Sequence, residues 1–439
     1  MTNIIVCKYG GSSVTSRTAI EYIGKITSDD TRRKIVVVSA PGKMSKEDVK
    51  VTDLLIELSK HPGNSDLFNK IIDKLYLLGS SDSNIKNILE ERLKRTLPEK
   101  EYEDSIKAFG EEACARITAE ILGLEYIDPK ELFVFSDEPG NAKILPESKK
   151  MIRARLGKLK SAVVIPGFFG YTKKGELRTL SRGGSDLTGG YIAGTLQAEF
   201  YENYTDSAIL ATDPGIVNNP KIIRELTYKE ARDLSFSGFN ILHHQAMLPT
   251  EETNVPIHVR STKRYPEEGT LITGNRTLYE NRPIVGVAYK SGFYSTFVEK
   301  SGLDDMLGII YKLTGIFGKE GIQLLDIPGA IDEISFIYHG SNISNKDQLK
   351  RIEEKIYRIV GKKGTFITTQ YNLGMIAVAG MGMAGRKGIL GDITDSISEA
   401  GVNIRTVCQG VRERCILFGV DESQGKKAVQ AIYSRFLSD

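Results

Sequence analysis

The chain has 439 residues, with 59 lysines and arginines against 56 aspartates and glutamates, a formal net charge of +3 at pH 7. That length exceeds what one hydrophobic core organises and predicts two or three domains. The 40 % hydrophobic and 26 % charged fractions are those of a soluble globular protein, and no block of basic residues offers a nucleic-acid surface. Cys7, Cys114, Cys408 and Cys415 are widely spaced and read as reduced thiols, and no Cys/His spacing suits zinc. The start, MTNIIVCKYGG, lacks the apolar run and cleavage site of a signal peptide. No apolar run approaches the ~20 residues of a membrane span. A cytoplasmic protein, without nucleic-acid or membrane partners, is expected.

In chain order, NIIVCK (3–8), KIVVVSA (34–40) and SAVVIPG (161–167) are β-branched runs ending in small residues, the pattern of strands buried on both faces of a parallel sheet. Between them, 51–58, 84–97 and 101–122 carry apolar residues at helical spacing, with Gly123 as the last helix's stop. FYENY (200–204) is another strand, and GGSDLTGGYIAGTLQAE (183–199) a helix of small residues. Alternating strands and helices predict an open α/β/α sheet, whose ligands gather at the carboxyl ends of its strands.

The turn-rich stretch 261–283 places a domain boundary near 280, giving domains 1–280 and 281–439. Beyond it, strand 284–290, helix 303–321, strands 322–328 and 333–339, helix 347–360 and strand 364–371 form one β-α-β-β-α-β pattern. A second follows in 373–380, 386–401, 402–408, 414–420 and 424–437. Two ferredoxin-like modules are predicted, about 295–370 and 371–439, the latter taking in part of 281–294.

Five segments carry chemistry. KYGGSS (8–13) follows the first strand; it suits a phosphate, through Lys8, the amides of Gly10 and Gly11 and the Ser12 hydroxyl, or is a plain turn. It is neither a Walker A loop nor a GxGxxG fingerprint. VVSA (37–40) ends in Ser39, and Glu111 lies in a helix where a glutamate is either functional or merely solvated. Thr205 and Asp206 follow a strand, where a carboxylate binds a ribose or a metal-bound water, or makes an Asx turn. In TLSRGGSDLTGG (179–190), Arg182 offers a bidentate fork to a carboxylate or phosphate, Gly183 and Gly184 expose amides, and Asp186 caps the helix or receives a cation.

Taken together, KYGGSS, VVSA, FGE (109–111), RGGSD (182–186) and TD (205–206) resemble, in order and along the whole chain, the aspartate kinases of the amino acid kinase superfamily, with two ACT-like modules behind them. The resemblance implies an amino acid kinase fold and transfer of the ATP γ-phosphoryl group, with Mg²⁺, to the β-carboxylate of L-aspartate, the step committing carbon to lysine, threonine and methionine. It implies Lys8 and Asp186 as catalytic residues, and Ser39, Glu111, Arg182, Gly183 and Ser185 against aspartate. Lys8, Gly10, Gly11, Ser12, Thr205 and Asp206 would hold ATP. It further implies a homodimer or dimer of dimers joined through the ACT modules and inhibited by lysine, with threonine second. Met306, Leu325, Asp326, Ile331 and Asp332 are the effector candidates, Asp304 and Asp305 lying nearby. Two departures fall on the ATP side: Gly215 and Asn240 stand where the family carries cations, and Lys221 and Lys229 are candidate replacements. The alternatives are an amino-acid sensor that has lost efficient ATP use and a sister kinase for glutamate or a uridylate.

Overall fold

A strand buried on both sides needs helices on both sides, and the first half of the chain supplies them. The structure is a computed structural model that describes residues 3–45, 47–79, 84–181, 183–236, 242, 244–276 and 282–438. Two compact units divide it: Met1–Ile209 with Ile222–Arg232 and Asn240–Arg276, and Leu210–Lys221 with Asp233–Phe239 and Thr277–Asp439.

The strands up to residue 276 are β1 (Ile5–Tyr9), β2 (Arg33–Val38), β3 (Glu125–Tyr126), β4 (Val163–Pro166), β5 (Phe169–Tyr171), β6 (Leu177–Thr179), β7 (Phe200–Thr205), β8 (Glu225–Thr227), β9 (Ile257–Ser261) and β10 (Thr270–Thr273). The helices are α1 (Arg17–Ser28), α2 (Val51–Lys60), α3 (Ser65–Tyr76), α4 (Asn84–Leu93), α5 (Glu99–Lys107), α6 (Phe109–Leu122), α7 (Ser148–Leu156), α8 (Gly184–Leu196), α9 (Tyr228–Phe236) and α10 (Leu248–Thr253). Eight strands form one sheet in the order β3-β4-β2-β1-β7-β9-β10-β8, parallel except between β9 and β10, while β5 and β6 pair separately. This is the expected α/β class with a mainly parallel sheet. No helix among the described residues is long and apolar enough to cross a membrane.

Alternation along the strands sorts the two faces. Ile5, Cys7 and Tyr9 of β1, Val36 and Val38 of β2, and Tyr204 of β7 pack with Ile23 and Ile26 of α1 and Cys114, Ala115 and Ala119 of α6. Glu202 lies on this buried face, bound by Arg33 Nε at 2.7 Å, Arg260 Nη1 at 3.1 Å and the Tyr204 hydroxyl at 3.0 Å. Burial works to raise its pKa, but Arg33 and then Arg260 outweigh it and hold the carboxyl below its ordinary range. The other face carries Lys8 and Asn203 and meets α8.

The single helix expected over 101–122 is two, α5 and α6, meeting at Ala108. At that joint the Ser105 carbonyl accepts from the buried Arg92 guanidinium, which also pairs with Glu112. Apolar spacing runs through such a joint unchanged, so periodicity does not reveal it.

In the second unit, the strands are β11 (Gly286–Lys300), β12 (Leu324–Asp326), β13 (Gly329–Ala330), β14 (Glu333–His339), β15 (Thr365–Ala379), β16 (Ile404–Gln409) and β17 (Cys415–Asp421). The helices are α11 (Ile309–Lys319), α12 (Lys346–Val360), α13 (Ile389–Glu399) and α14 (Gly425–Phe436). The sheet runs β12-β14-β11-β15-β17-β16, antiparallel throughout, with β13 on β14. Two expectations need correcting. The strands expected at 364–371 and 373–380 are one fifteen-residue strand, β15, passing through Asn372 in a left-handed conformation at φ 60°. The helix expected from 303 begins at Ile309, because Gly302 and Gly308 adopt positive φ and 303–308 forms turns. Phe293–Glu299 of β11 pair with β14, and Gly286–Lys290 lie against Met375–Ala379 of β15. Each long strand thus serves both βαββαβ halves.

Candidate active site

Residues from five segments of the first unit meet where parallel strands end. Lys8 is the penultimate residue of β1 and Gly10, Gly11 and Ser12 form the turn behind it, with Gly10 N donating to Tyr204 O at 3.0 Å. The loop after β2 lies directly against that turn: Ser39 N donates to Tyr9 O at 3.2 Å and Gly42 N to Gly11 O at 2.9 Å. A Cβ on Gly11 would sit 2.6 Å from the Ala40 carbonyl oxygen, so only glycine lets the two backbones approach. Ser13, beyond the expected set, is buried and hydrogen-bonds Thr262 at 2.6 Å.

Asp186 lies in the first turn of α8, behind Gly183 at φ 80°. Its side chain makes no cap on the helix; its Oδ1 receives the Lys8 ammonium at 2.5 Å and the Asn203 amide at 2.9 Å. Of the two readings open for Asp186, the structure shows the cationic partner. Lys8 is 7 % exposed, so the pair faces little competing water. Ser185 is buried, its Cβ so close to Gly167 that a side chain there would overlap it. Arg182 lies outside the described residues, as does Asn240.

Glu111, in the first turn of α6, is 6 % exposed. Burial pushes its pKa up to about 7, against hydrogen bonds from the backbone of Ala40 and its own amide and the positive charge of Lys107 and Lys8. Its Oε2 is buried with no hydrogen-bond partner. A buried carboxylate oxygen without a donor is a strong pull on a cation. Thr205 ends β7, and Asp206 is exposed just beyond it, its carbonyl accepting from Ser261 Oγ at 2.9 Å. Among the described residues, no group of three or more His, Cys, Asp or Glu side chains could hold a metal ion by itself.

The effector candidates fall in the second unit. Leu325 packs with Phe293, Ile337, Leu373, Met375 and Leu417. Asp332 receives the amides of Gly302 and Leu303 at 2.6 and 3.2 Å and donates its own to Asp304 at 2.7 Å, so these carboxylates fix a turn. Asp326 lies beside Cys408, whose thiol pKa is raised by burial and then by that carboxylate. Met306 is half-buried and Ile331 is 87 % exposed. Asp305, Lys221 and Lys229 are exposed; Gly215 donates to Asp213 at 2.7 Å.

Sequence reasoning missed Asn203 and Tyr201, which meet Asp186 from β7. A signal existed: an amide in the middle of a strand otherwise read as buried and apolar.

An anion-suited turn on β1, a lysine–aspartate pair and a buried carboxylate thus gather at the strand ends of a parallel sheet, and residues 3–261 match the Amino acid kinase family, which makes the chain a small-molecule phosphotransferase. Residues 376–436 match an ACT domain. Aspartokinase 3 of Bacillus subtilis (strain 168) is 34 % identical over 456 residues, covering 99 % of this chain and 98 % of its own. The crystal structure of the aspartate kinase of Clostridium acetobutylicum, described as an allosteric enzyme, is 32 % identical and superposes with a TM-score of 0.83 over 99 % of both chains. That of aspartokinase III of E. coli with aspartate and ADP shares the fold at 23 % identity, with a TM-score of 0.81 over 98 % of this chain and 99 % of that one. The chain belongs to the aspartokinases.

Proposed function

We propose that the protein transfers the γ-phosphoryl group of ATP to the β-carboxylate of L-aspartate, yielding 4-phospho-L-aspartate and ADP. The carrying observation is the grouping of the Lys8–Asp186 pair with the Gly10–Gly11 turn and the buried Glu111 oxygen. A β-carboxylate oxygen attacks the γ-phosphorus, and the bond to the bridging oxygen breaks with its electron pair leaving on ADP. The carboxylate is already ionised at pH 7, so no general base is needed. Lys8 and the Gly10 and Gly11 amides balance charge on the moving phosphoryl group, which is most of what such an enzyme must supply. Glu111 takes the substrate ammonium, Arg182 clamps the α-carboxylate beside Gly183 and Ser185, and Ser39 adds a hydroxyl contact. Ser12, Thr205 and Asp206 face the nucleotide, and Mg²⁺, as part of the Mg-ATP substrate, would offset charge on its phosphates.

The chain is a cytoplasmic enzyme opening the route to lysine, threonine and methionine. It comprises a catalytic domain to about 280 and two ACT modules beyond, through which it forms a homodimer or dimer of dimers and is inhibited by lysine, or else threonine. The modules are amino-acid sensors by resemblance, and Asp326 and Asp305 are the candidate anions left for a lysine side chain once Asp304 and Asp332 are tied into their turn. Coupled ADP release with hydroxylamine trapping of the acyl phosphate tests the activity. Absence of the hydroxamate at saturating Mg-ATP and aspartate sinks it, and product from glutamate alone reassigns the substrate.

A further inference from the structure

A central parallel strand is normally an unbroken apolar run, because both its faces are buried. β7 departs from that at Glu202 and Asn203. Glu202 is accounted for by Arg33 and Arg260; Asn203, 2 % exposed on the other face, is not. It pairs in register with Lys8 on β1, so the two side chains stand next to each other on the face that meets α8.

The amide nitrogen of Asn203 uses both of its hydrogens. One goes to Asp186 Oδ1 at 2.9 Å, the other to the Tyr201 hydroxyl at 3.1 Å. An ionised carboxylate only accepts, which fixes which end of the amide faces it. The Tyr201 hydroxyl in turn donates to the Asp186 backbone carbonyl at 3.0 Å, so the aspartate is held at both its main chain and its side chain from one strand. A Cβ on Gly189 would lie 2.7 Å from the Tyr201 ring, so the small residues of α8 are what bring Asp186 this close. The charged and titratable groups facing Asn203 are Lys8 from β1, Asp186 from α8 and Tyr201 from its own strand; its β9 neighbour in register, Val259, is apolar. Burial, and then the Asp186 charge, keep the Tyr201 phenol protonated.

Asp186 Oδ1 therefore has two donors of different kinds. Lys8 is a cation, whose proposed task is to meet the phosphoryl group. A carboxylate abandoned by its lysine in this half-buried place would be short of a partner, at a cost in both energy and position. We propose that Asn203 is a positioning residue for phosphoryl transfer: a neutral, non-titrating donor that keeps Asp186 in place while Lys8 turns from it to the phosphate. This inference rests on the aspartate kinase reading of the site.

The test compares wild type, Asn203→Leu and Asn203→Asp by kcat and by KM for aspartate and ATP between about pH 5.5 and 8.5, with circular dichroism to confirm folding. Asn203→Leu is expected to lower kcat about 10- to 100-fold with KM for ATP within about twofold, the signature of a displaced catalytic group rather than a lost nucleotide site. Asn203→Asp supplies a donor only while the new carboxyl is protonated. Its kcat, taken as a ratio to wild type at the same pH and saturating aspartate, is therefore expected to approach one in acid and fall as pH rises. A wild-type kcat in folded Asn203→Leu overturns the proposal, and so does a pH-independent ratio for Asn203→Asp. Should Asn203→Leu not fold, the near-isosteric Asn203→Asp decides alone. A wild type inert on aspartate would instead overturn the functional reading, and this inference with it.

Discussion

Glu111→Gln isolates a single charge. Burial raises the Glu111 pKa from its ordinary 4.5 to about 7, and at about 1.4 kcal/mol per pH unit the difference amounts to about 3 kcal/mol. Because the folded value is raised, the group's favourable contribution to folding is present below pH 4.5 and is lost as pH climbs through 7. Glu111→Gln should therefore match wild type in stability at acid pH and exceed it above pH 7, by up to about 3 kcal/mol on the same estimate. Activity should move the other way. A neutral amide leaves the substrate ammonium without its counter-charge, and losing a charge-assisted hydrogen bond of about 2–3 kcal/mol lowers kcat/KM for aspartate about 30- to 150-fold. In wild type, kcat/KM for aspartate should fall as pH drops below about 7. Near pH 7 about half the molecules carry the proton, so aspartate binding should release about half a proton, measured calorimetrically in buffers of different ionisation enthalpy. A variant within twofold of wild type, together with an aspartate KM constant from pH 6 to 8, would refute Glu111 as the ammonium site.

Lys8→Ala should cut kcat at least 10²-fold, as expected for losing a preorganised charge at the transferred group, seen as loss of hydroxamate at saturating substrates. Glu202→Ala strands the buried Arg33 and Arg260 charges and should destabilise the first unit by about 3–5 kcal/mol, read from chemical denaturation. In wild type the same cluster, whose carboxyl pKa is depressed, should lend stability above the ordinary carboxylate range and lose it as pH falls through the depressed value. Millimolar lysine should inhibit more strongly than threonine; inhibition by threonine alone reassigns the effector.

Much of the site was legible because its residues sit at strand ends and helix starts, where a short motif carries its own geometry. KYGGSS and GGSD could be placed on β1 and α8 from sequence, so Lys8 and Asp186 were expected in one place. Asn203 and Tyr201 were not, since their meaning depends on the in-register pairing of β1 with β7 and on how closely α8 packs, which no local pattern encodes. The same limit explains the second unit. A break in apolar rhythm at Asn372 looks like a strand end, yet one residue with positive φ lets β15 continue. The joint at Ala108 is the converse, a continuous rhythm concealing two helices.

The fifteen-residue strands β11 and β15 have a consequence for how the second unit comes apart. Neither βαββαβ half can open while the other stays whole, since each would have to surrender part of a strand its neighbour needs. The unit should therefore behave as one cooperative block in hydrogen exchange, with protection at Val298 tied to protection at Val378. A fragment ending at residue 371 would lose both halves, and a ligand that tightens one half also raises the cost of opening the other.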